Sequence, residues 1–173
     1  PDTYRFFLGS APDEVLKKLT NNFAAKAAPL LRGDASRAHD DLTLASLLEK
    51  EIPDFEERRV AAGILKKRLS AGMPLQVDAT ICYIKRARVW PEGRNCYPLT
   101  PLDFEADSPY NSYLYKGLPP GPISNPGTSS IVAALDFKPS SYWFYLSDSK
   151  TGKTIFSKTL DEHAANRVKY LGN

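Results

Sequence analysis

The sequence predicts an α+β fold, with helices packed in a second layer on a small, mainly antiparallel sheet. Three observations carry this. Apolar residues recur at helical spacing behind capping residues along most of the chain. One hairpin pattern stands near the C-terminus. A proline- and glycine-rich stretch from Leu99 to Gly127 separates the two regions. At 173 residues the chain is long enough for one domain, 1–173, with a real core.

The elements follow in order. Ser10 to Ala28 is a helix candidate: Pro12 sits near its start, Asp13 and Glu14 occupy the first turn, and Val15, Leu16, Leu19 and Phe23 form its apolar face. Pro29 ends it, and the polar residues 32–40 read as a connection. A short amphipathic helix covers Leu42 to Ile52 and stops at Pro53, because a residue before proline is pushed out of the α region. Asp54-Phe55-Glu56-Glu57 is a capping-box-like start for a helix from Phe55 to Ser70, closed by Gly72. Between residues 73 and 98, Ile81, Tyr83, Val89 and Trp90 suit a strand or a short helix equally. The 99–127 stretch holds Leu118-Pro119-Pro120-Gly121-Pro122, which excludes regular helix or central strand. Its tyrosines 110, 113 and 115 argue for an ordered loop, and long ordered loops are usually functional. Ser129 to Leu135 reads as a short helix. Tyr142–Leu146 and Thr154–Phe156 read as strands joined by turn chemistry, and Thr159-Leu160-Asp161-Glu162 caps a final helix toward Tyr170.

Composition narrows the function. The net charge of +3 is too weak to argue for nucleic acid, and no aromatic RNA-binding signature accompanies the basic residues. Arg58, Arg59, Lys66 to Arg68, Lys85, Arg86 and Arg88 fall mostly on predicted helix surfaces, where solvation is the default. No apolar run approaches the roughly 18 residues that span a bilayer, and no signal peptide is visible. A start at Pro1 without methionine reads as a piece of a longer protein. Cys82 and Cys96 lack zinc-ligand spacing. They either pair in an oxidising compartment or remain two thiols.

Glu51 is the candidate working group. At about 100° per residue it shares a face with Leu44, Leu47 and Leu48. Glu49 lies on the other side near Ser46, where a solvated face explains it. The last helical turn disfavours negative charge, and desolvation acts in the same direction. Both favour a protonated carboxyl, which a general acid needs. The alternative is a helix-end glutamate that turns to solvent or pairs with a cation.

Other chemistries fit poorly. His39 and His163 are the only histidines, GxSxG is missing, and no phosphate-binding glycine motif is present. Hydrolysis of a glycosidic bond usually takes two acids; Asp78, Asp103, Asp107 and Glu162 are candidates for the second. A lytic cleavage needs one, which protonates the leaving oxygen and then, as a base, helps the sugar's own hydroxyl attack the anomeric carbon.

The stretch Leu42 to Glu51 resembles the hallmark segment of the endolytic murein transglycosylases, the YceG-like family. Further similar segments come in the same order: Pro1-Asp2-Thr3-Tyr4, Glu57-Arg58, Arg68-Leu69, Gly72 to Gln76 with Asp78-Ala79-Thr80, Asp107 to Tyr113, Gly117 to Gly127, and Phe156 to Thr159 with Glu162-His163. The resemblance implies internal cleavage of peptidoglycan glycan strands to 1,6-anhydro-N-acetylmuramic acid ends, without metal or organic cofactor. It places the catalytic acid at Glu51. It gives Gln76, Asp78, Tyr110, Asn111, Tyr113, Asn125, Ser157 and His163 to the glycan groove, where amides and phenols suit sugar hydroxyls and ring faces. It implies peptidoglycan as partner, cell-wall synthases beside it, and no nucleic acid. It also implies an extracytoplasmic location, with a membrane anchor and a LysM-like module upstream. On the residues alone, Asp78 equally suits a helix cap, Tyr110 and Tyr113 the core, Asn111 and Asn125 turns, and His163 a structural role. The chain departs from the family pattern at Ala79 (usually proline), Lys67 (usually asparagine), Thr154, Ala164 and across residues 84–97. Two other readings stay open: a non-catalytic peptidoglycan-binding module, and a muramidase-type hydrolase using Glu51 with Asp78 or Asp107.

Overall fold

The computed structural model describes residues 2–31, 33–88, 96–148 and 150–172. Seven helices and two strands stand among them. Val89 and Trp90, whose element the sequence left open, lie outside the described residues.

Helix α1 spans Pro12–Lys26, with proline in its first turn. None of its residues is buried, and Leu16, Leu19 and Phe23 remain 61%, 38% and 45% exposed. The predicted apolar face is therefore present but uncovered. Helix α2 spans Ala35–Glu51, beginning well before the expected start at Leu42. Asp34 explains the difference: its carboxylate accepts the Arg37 N–H at 2.9 Å and caps the helix seven residues earlier than apolar spacing indicates. The polar turns 35–40 face solvent, so periodicity does not register them.

Helix α3, Phe55–Ser70, matches its predicted bounds. Asp54 accepts the Glu57 N–H at 2.9 Å, while the Glu57 carboxylate accepts the Thr154 N–H at 3.0 Å and ties the helix start to the hairpin. Helix α4 is Asp78–Arg88, which settles residues 78–88 as helix. The long loop stays irregular except for one turn, α5, Pro101–Phe104. Helix α6 is Thr128–Leu135 and α7 is Leu160–Leu171.

Strands β1, Phe144–Ser147, and β2, Thr154–Ser157, pair antiparallel with Tyr145 opposite Phe156. Helix α7 packs against both strands, and α2, α3 and α6 pack on one another, giving the α+β layering. Leu44, Leu47 and Leu48 of α2 meet Ala61, Ala62 and Leu65 of α3 and Ile131 of α6, all at or below 2% exposure. At Gly63 a Cβ would stand 2.1 Å from the Lys138 carbonyl oxygen, so only glycine lets α3 approach that strand of chain.

Two arginines correct the solvated-surface reading. Arg58 and Arg68 are 7% and 5% exposed. Arg58 donates from Nε to the Ile52 carbonyl at 2.7 Å and from Nη2 to the Pro53 carbonyl at 3.2 Å, closing the C-terminal end of α2. Arg68 donates to the Trp143 carbonyl at 2.8 Å and the Leu75 carbonyl at 2.9 Å. It thereby joins α3, the hairpin and the segment leading into α4. Cys82 and Cys96 form a disulfide with Cα atoms 5.4 Å apart, which decides the open question of their pairing.

Candidate active site

Glu51 ends α2 on the face that carries Leu44, Leu47 and Leu48, as helical spacing requires. It is partly buried. The Ala79 N–H in the first turn of α4 donates to Glu51 Oε1 at 3.1 Å. The Tyr145 hydroxyl of β1 donates to Glu51 Oε2 at 3.5 Å. Loss of water raises the Glu51 pKa to about 7; the Asp78 charge adds to the rise, and the hydrogen bonds from Ala79 and Tyr145 oppose it. Near neutral pH this acid is half protonated.

Hydrogen bonds hold the segment beside Glu51 in place. The Gln76 N–H donates to the Ser112 carbonyl at 3.0 Å and the Val77 N–H to Ser112 Oγ at 2.9 Å, which fixes the entrance to α4. Gln76 itself has φ +53, a left-handed backbone for a non-glycine residue. Tyr113 donates its hydroxyl to Asp78 Oδ1. Burial, aided by the charges of Asp78 and Glu51, pushes the Tyr113 phenol up. Burial also raises Tyr145 well above the usual phenol range, with the Glu51 charge adding to it. Tyr97 is pushed up to about 12 by burial and by the Glu51 and Asp78 charges. Tyr113 and Tyr145 are neutral donors to this carboxyl pair, and Tyr97 is a third neutral phenol within reach of its charges.

The sequence-predicted residues divide. Glu51, Asp78 and Tyr113 come together, with exposed Gln76 two residues ahead of Asp78. Tyr110 is partly buried, its ring 4.8 Å from that of Tyr83. Asn111 is fully buried; its amide donates to the Phe104 and Ala106 carbonyls at 2.9 Å each, and its oxygen accepts the Tyr113 N–H at 3.0 Å. These bonds engage its polar atoms in the loop. Ser157, also fully buried, accepts from the Asn166 amide at 3.0 Å and so docks α7 on β2. His163 stacks on Phe144 with centroids 5.3 Å apart, and burial lowers its pKa. Exposed Asn125 lines a separate hollow of about 290 Å³ with Tyr4, Phe23 and Lys26.

Sequence reasoning missed the two donors to Glu51. Tyr145 lies 94 positions away and Ala79 offers only its backbone, so no spacing links either to the acid. It also misread Glu49. The Glu49 carboxylate accepts the Gly127 N–H at 3.1 Å and the Ser130 hydroxyl, holding the N-terminus of α6. Burial works against its charge, but these hydrogen bonds win and hold its pKa below the usual range. Among the described residues no cluster of His, Cys, Asp and Glu is placed to hold a metal ion, and no helix is long and apolar enough to cross a membrane.

Fold and site together define a small α+β domain that holds one protonatable acid, beside a second carboxylate, in a phenol-lined setting. The chain belongs to the YceG-like family, which matches residues 1–169. It is 35% identical over 180 residues to the endolytic murein transglycosylase of Bacillus subtilis (strain 168), covering 100% of this chain and 47% of that protein. It is 28% identical over 163 residues to the endolytic murein transglycosylase of Streptococcus pneumoniae serotype 2, covering 93% of this chain and 29% of that one. A 2.6 Å crystal structure of a yceG-like protein from Listeria monocytogenes superposes with a TM-score of 0.80 at 38% identity, over 96% of this chain and 53% of that chain. The chain spans about half the length, or less, of these relatives.

Proposed function

We propose that residues 1–173 form the catalytic domain of a peptidoglycan lytic transglycosylase. It cleaves the β-1,4 bond between N-acetylmuramic acid and N-acetylglucosamine within glycan strands. The observation that carries this reading is the Glu51 carboxyl, desolvated and raised to about 7. Glu51 gives its proton to the glycosidic oxygen as the C1–O bond breaks. The resulting carboxylate then takes the proton of the same sugar's C6 hydroxyl while O6 bonds to C1. The product carries a 1,6-anhydro ring, Glu51 is again protonated, and no water is consumed. The Ala79 N–H and Tyr145 hydroxyl favour the anionic form and so stabilise the intermediate state. The names borne by the curated relatives support the same substrate class.

The second reading is a muramidase-type hydrolase, and Asp78 is the observation behind it, because its charge acts on Glu51. Two other candidate second acids have structural duties. Asp103 accepts from Lys85 at 2.9 Å, and Glu162 accepts the Lys158 N–H at 2.7 Å. Mass spectrometry of products from isolated strands separates the readings, since hydrolysis adds one water and the lytic reaction adds none. Anhydro-ended product from the parent chain and none from Glu51→Gln is the expected result. Persistent anhydro product with Glu51→Gln refutes the assignment.

An extracytoplasmic site of action is part of the proposal. The Cys82–Cys96 disulfide supports it, because such bonds persist in oxidising compartments. For a longer parent protein, an upstream membrane anchor and cell-wall synthase partners complete it.

A further inference from the structure

A second concavity adjoins the acid. It has a volume of about 250 Å³ and lies between the end of α2, the outer face of α4 and the segment after the disulfide. Ala79 belongs to both places: its N–H holds Glu51, and the residue also lines this hollow. Tyr97 lines it too, and its phenol feels the charges of Glu51 and Asp78, so the hollow and the acid share one neighbourhood. Its walls are Tyr83, Ile123 and the Cys82–Cys96 bridge.

The charge here is one-sided. Lys50 and Arg86 both line the hollow, and among the described residues no aspartate or glutamate does. Neither cation takes part in an ion pair among the described residues. Lone surface cations are ordinarily solvated and need no partner. These two differ because they converge from separate helices on one concavity with aromatic walls. The volume is below the roughly 300 Å³ at which drug-sized sites begin, so it suits one sugar ring or a side arm.

We propose that this hollow is a carboxylate-binding subsite of the glycan cleft, with Lys50 and Arg86 as its anion contacts and Tyr83 and Tyr97 as its faces. It rests on the reading of Glu51 as a glycan-cleaving acid. Of the two alternating sugars, only the muramic one carries an acidic arm. The subsite therefore distinguishes the two and sets the register of the strand against Glu51. In bare strands the carboxylate is the lactyl group itself; in peptide-bearing strands that group is an amide and the carboxylates belong to the peptide. Guanidinium forks match carboxylates in either setting.

The test uses the 173-residue chain carrying Glu51→Gln, which holds strands without turnover. Its affinity is measured for bare strands and for peptide-bearing strands, each with its carboxylates free and converted to methylamides. Carboxylate strands are expected to bind about tenfold tighter than amidated ones, the scale of two partly screened charge contacts. Adding Lys50→Gln and Arg86→Gln should erase that difference. A preference on bare strands alone assigns the lactyl arm; one that persists on peptide-bearing strands assigns the peptide. Equal affinity for charged and amidated strands overturns the subsite, as does a double variant that weakens both alike. If the parent chain cleaves strands yet shows no charge preference, the subsite fails while the proposed function stands. A parent chain that cleaves no strand, together with a Glu51→Gln chain that binds none, removes both.

Discussion

Glu51→Gln should change stability with a pH dependence that reports the acid's burial independently of any activity. In the folded chain the carboxyl titrates at about 7 against an ordinary value of 4.5. Below about pH 4.5 both folded and unfolded states hold the proton, and the carboxyl carries no electrostatic penalty. As pH rises, the unfolded chain releases the proton first, so parent stability falls until the folded carboxyl also ionises near pH 7. The displacement corresponds to on the order of 3 kcal/mol, lost between those limits and constant above them. Glutamine has no such titration. Its amide keeps an acceptor for the Ala79 N–H but meets the Tyr145 hydroxyl differently, a pH-independent cost of about 1 kcal/mol. Urea unfolding of both chains from about pH 4 to about pH 8 gives the difference directly, because other groups titrate alike in the two. The variant should gain on the parent by roughly 3 kcal/mol across that range. A stability difference that stays flat with pH would refute the buried-acid reasoning, whatever the enzyme assay shows.

Three further outcomes follow from the same contacts. Ala79→Pro removes the N–H that favours the Glu51 anion, at a helix start where proline is tolerated; the alkaline fall of the kcat profile should move upward, by about a factor of ten in proton affinity, and an unmoved profile would count against this donor. Glu49→Gln should leave that profile in place but destabilise by about 1–2 kcal/mol. Its pH trend is opposite to that of Glu51: the Glu49 carboxylate is held below the usual range, so its contribution is present at neutral pH and lost as pH falls into the acid range, which denaturant midpoints at two pH values would reveal. Gly63→Ala drives a methyl to 2.1 Å from the Lys138 carbonyl oxygen and should cost about 1–3 kcal/mol in equilibrium unfolding, with unchanged stability contradicting the close approach.

What the sequence disclosed is what local chemistry controls. Helix α3 was legible at both ends because Asp54 caps one and Gly72, at φ +63, follows the other. The hairpin and the last helix were legible for the same kind of reason. The face of α2 that carries Glu51 was legible because three leucines define it. Three things were not. The apolar stripe of α1 predicted burial, but periodicity records amphipathicity and not whether a neighbour covers it. Arg58 and Arg68 read as surface charges, since spacing is silent about carbonyls offered by Ile52, Trp143 and Leu75. The fold roles of Asn111 and Ser157 were not legible either: the family resemblance gives both to the glycan groove, and spacing is silent about the buried hydrogen bonds that each makes within the fold.

The two glutamates of α2 show how one helix serves two ends. They stand two residues apart, about 200° around the axis, and so face different neighbours. Glu49 meets a helix N-terminus and a serine hydroxyl, both of which reward a negative charge. Glu51 meets an environment short of water and the negative charge of Asp78, which penalise its charge more than the two donors, Ala79 and Tyr145, favour it. Environments that push two similar acids apart are how a site divides structural from chemical work. The division is also mechanical. Glu49 holds α6 by the N-terminus at Gly127, and Ser46, one turn earlier, accepts the Ile123 N–H at 3.0 Å. The ionised Glu49 and Ser46 therefore hold the loop at Gly127 and Ile123, while Glu51 exchanges its proton near neutral pH. Interchanging their neighbours would lose both roles, because each depends on a partner nearly thirty or more positions away rather than on the helix that carries the acid.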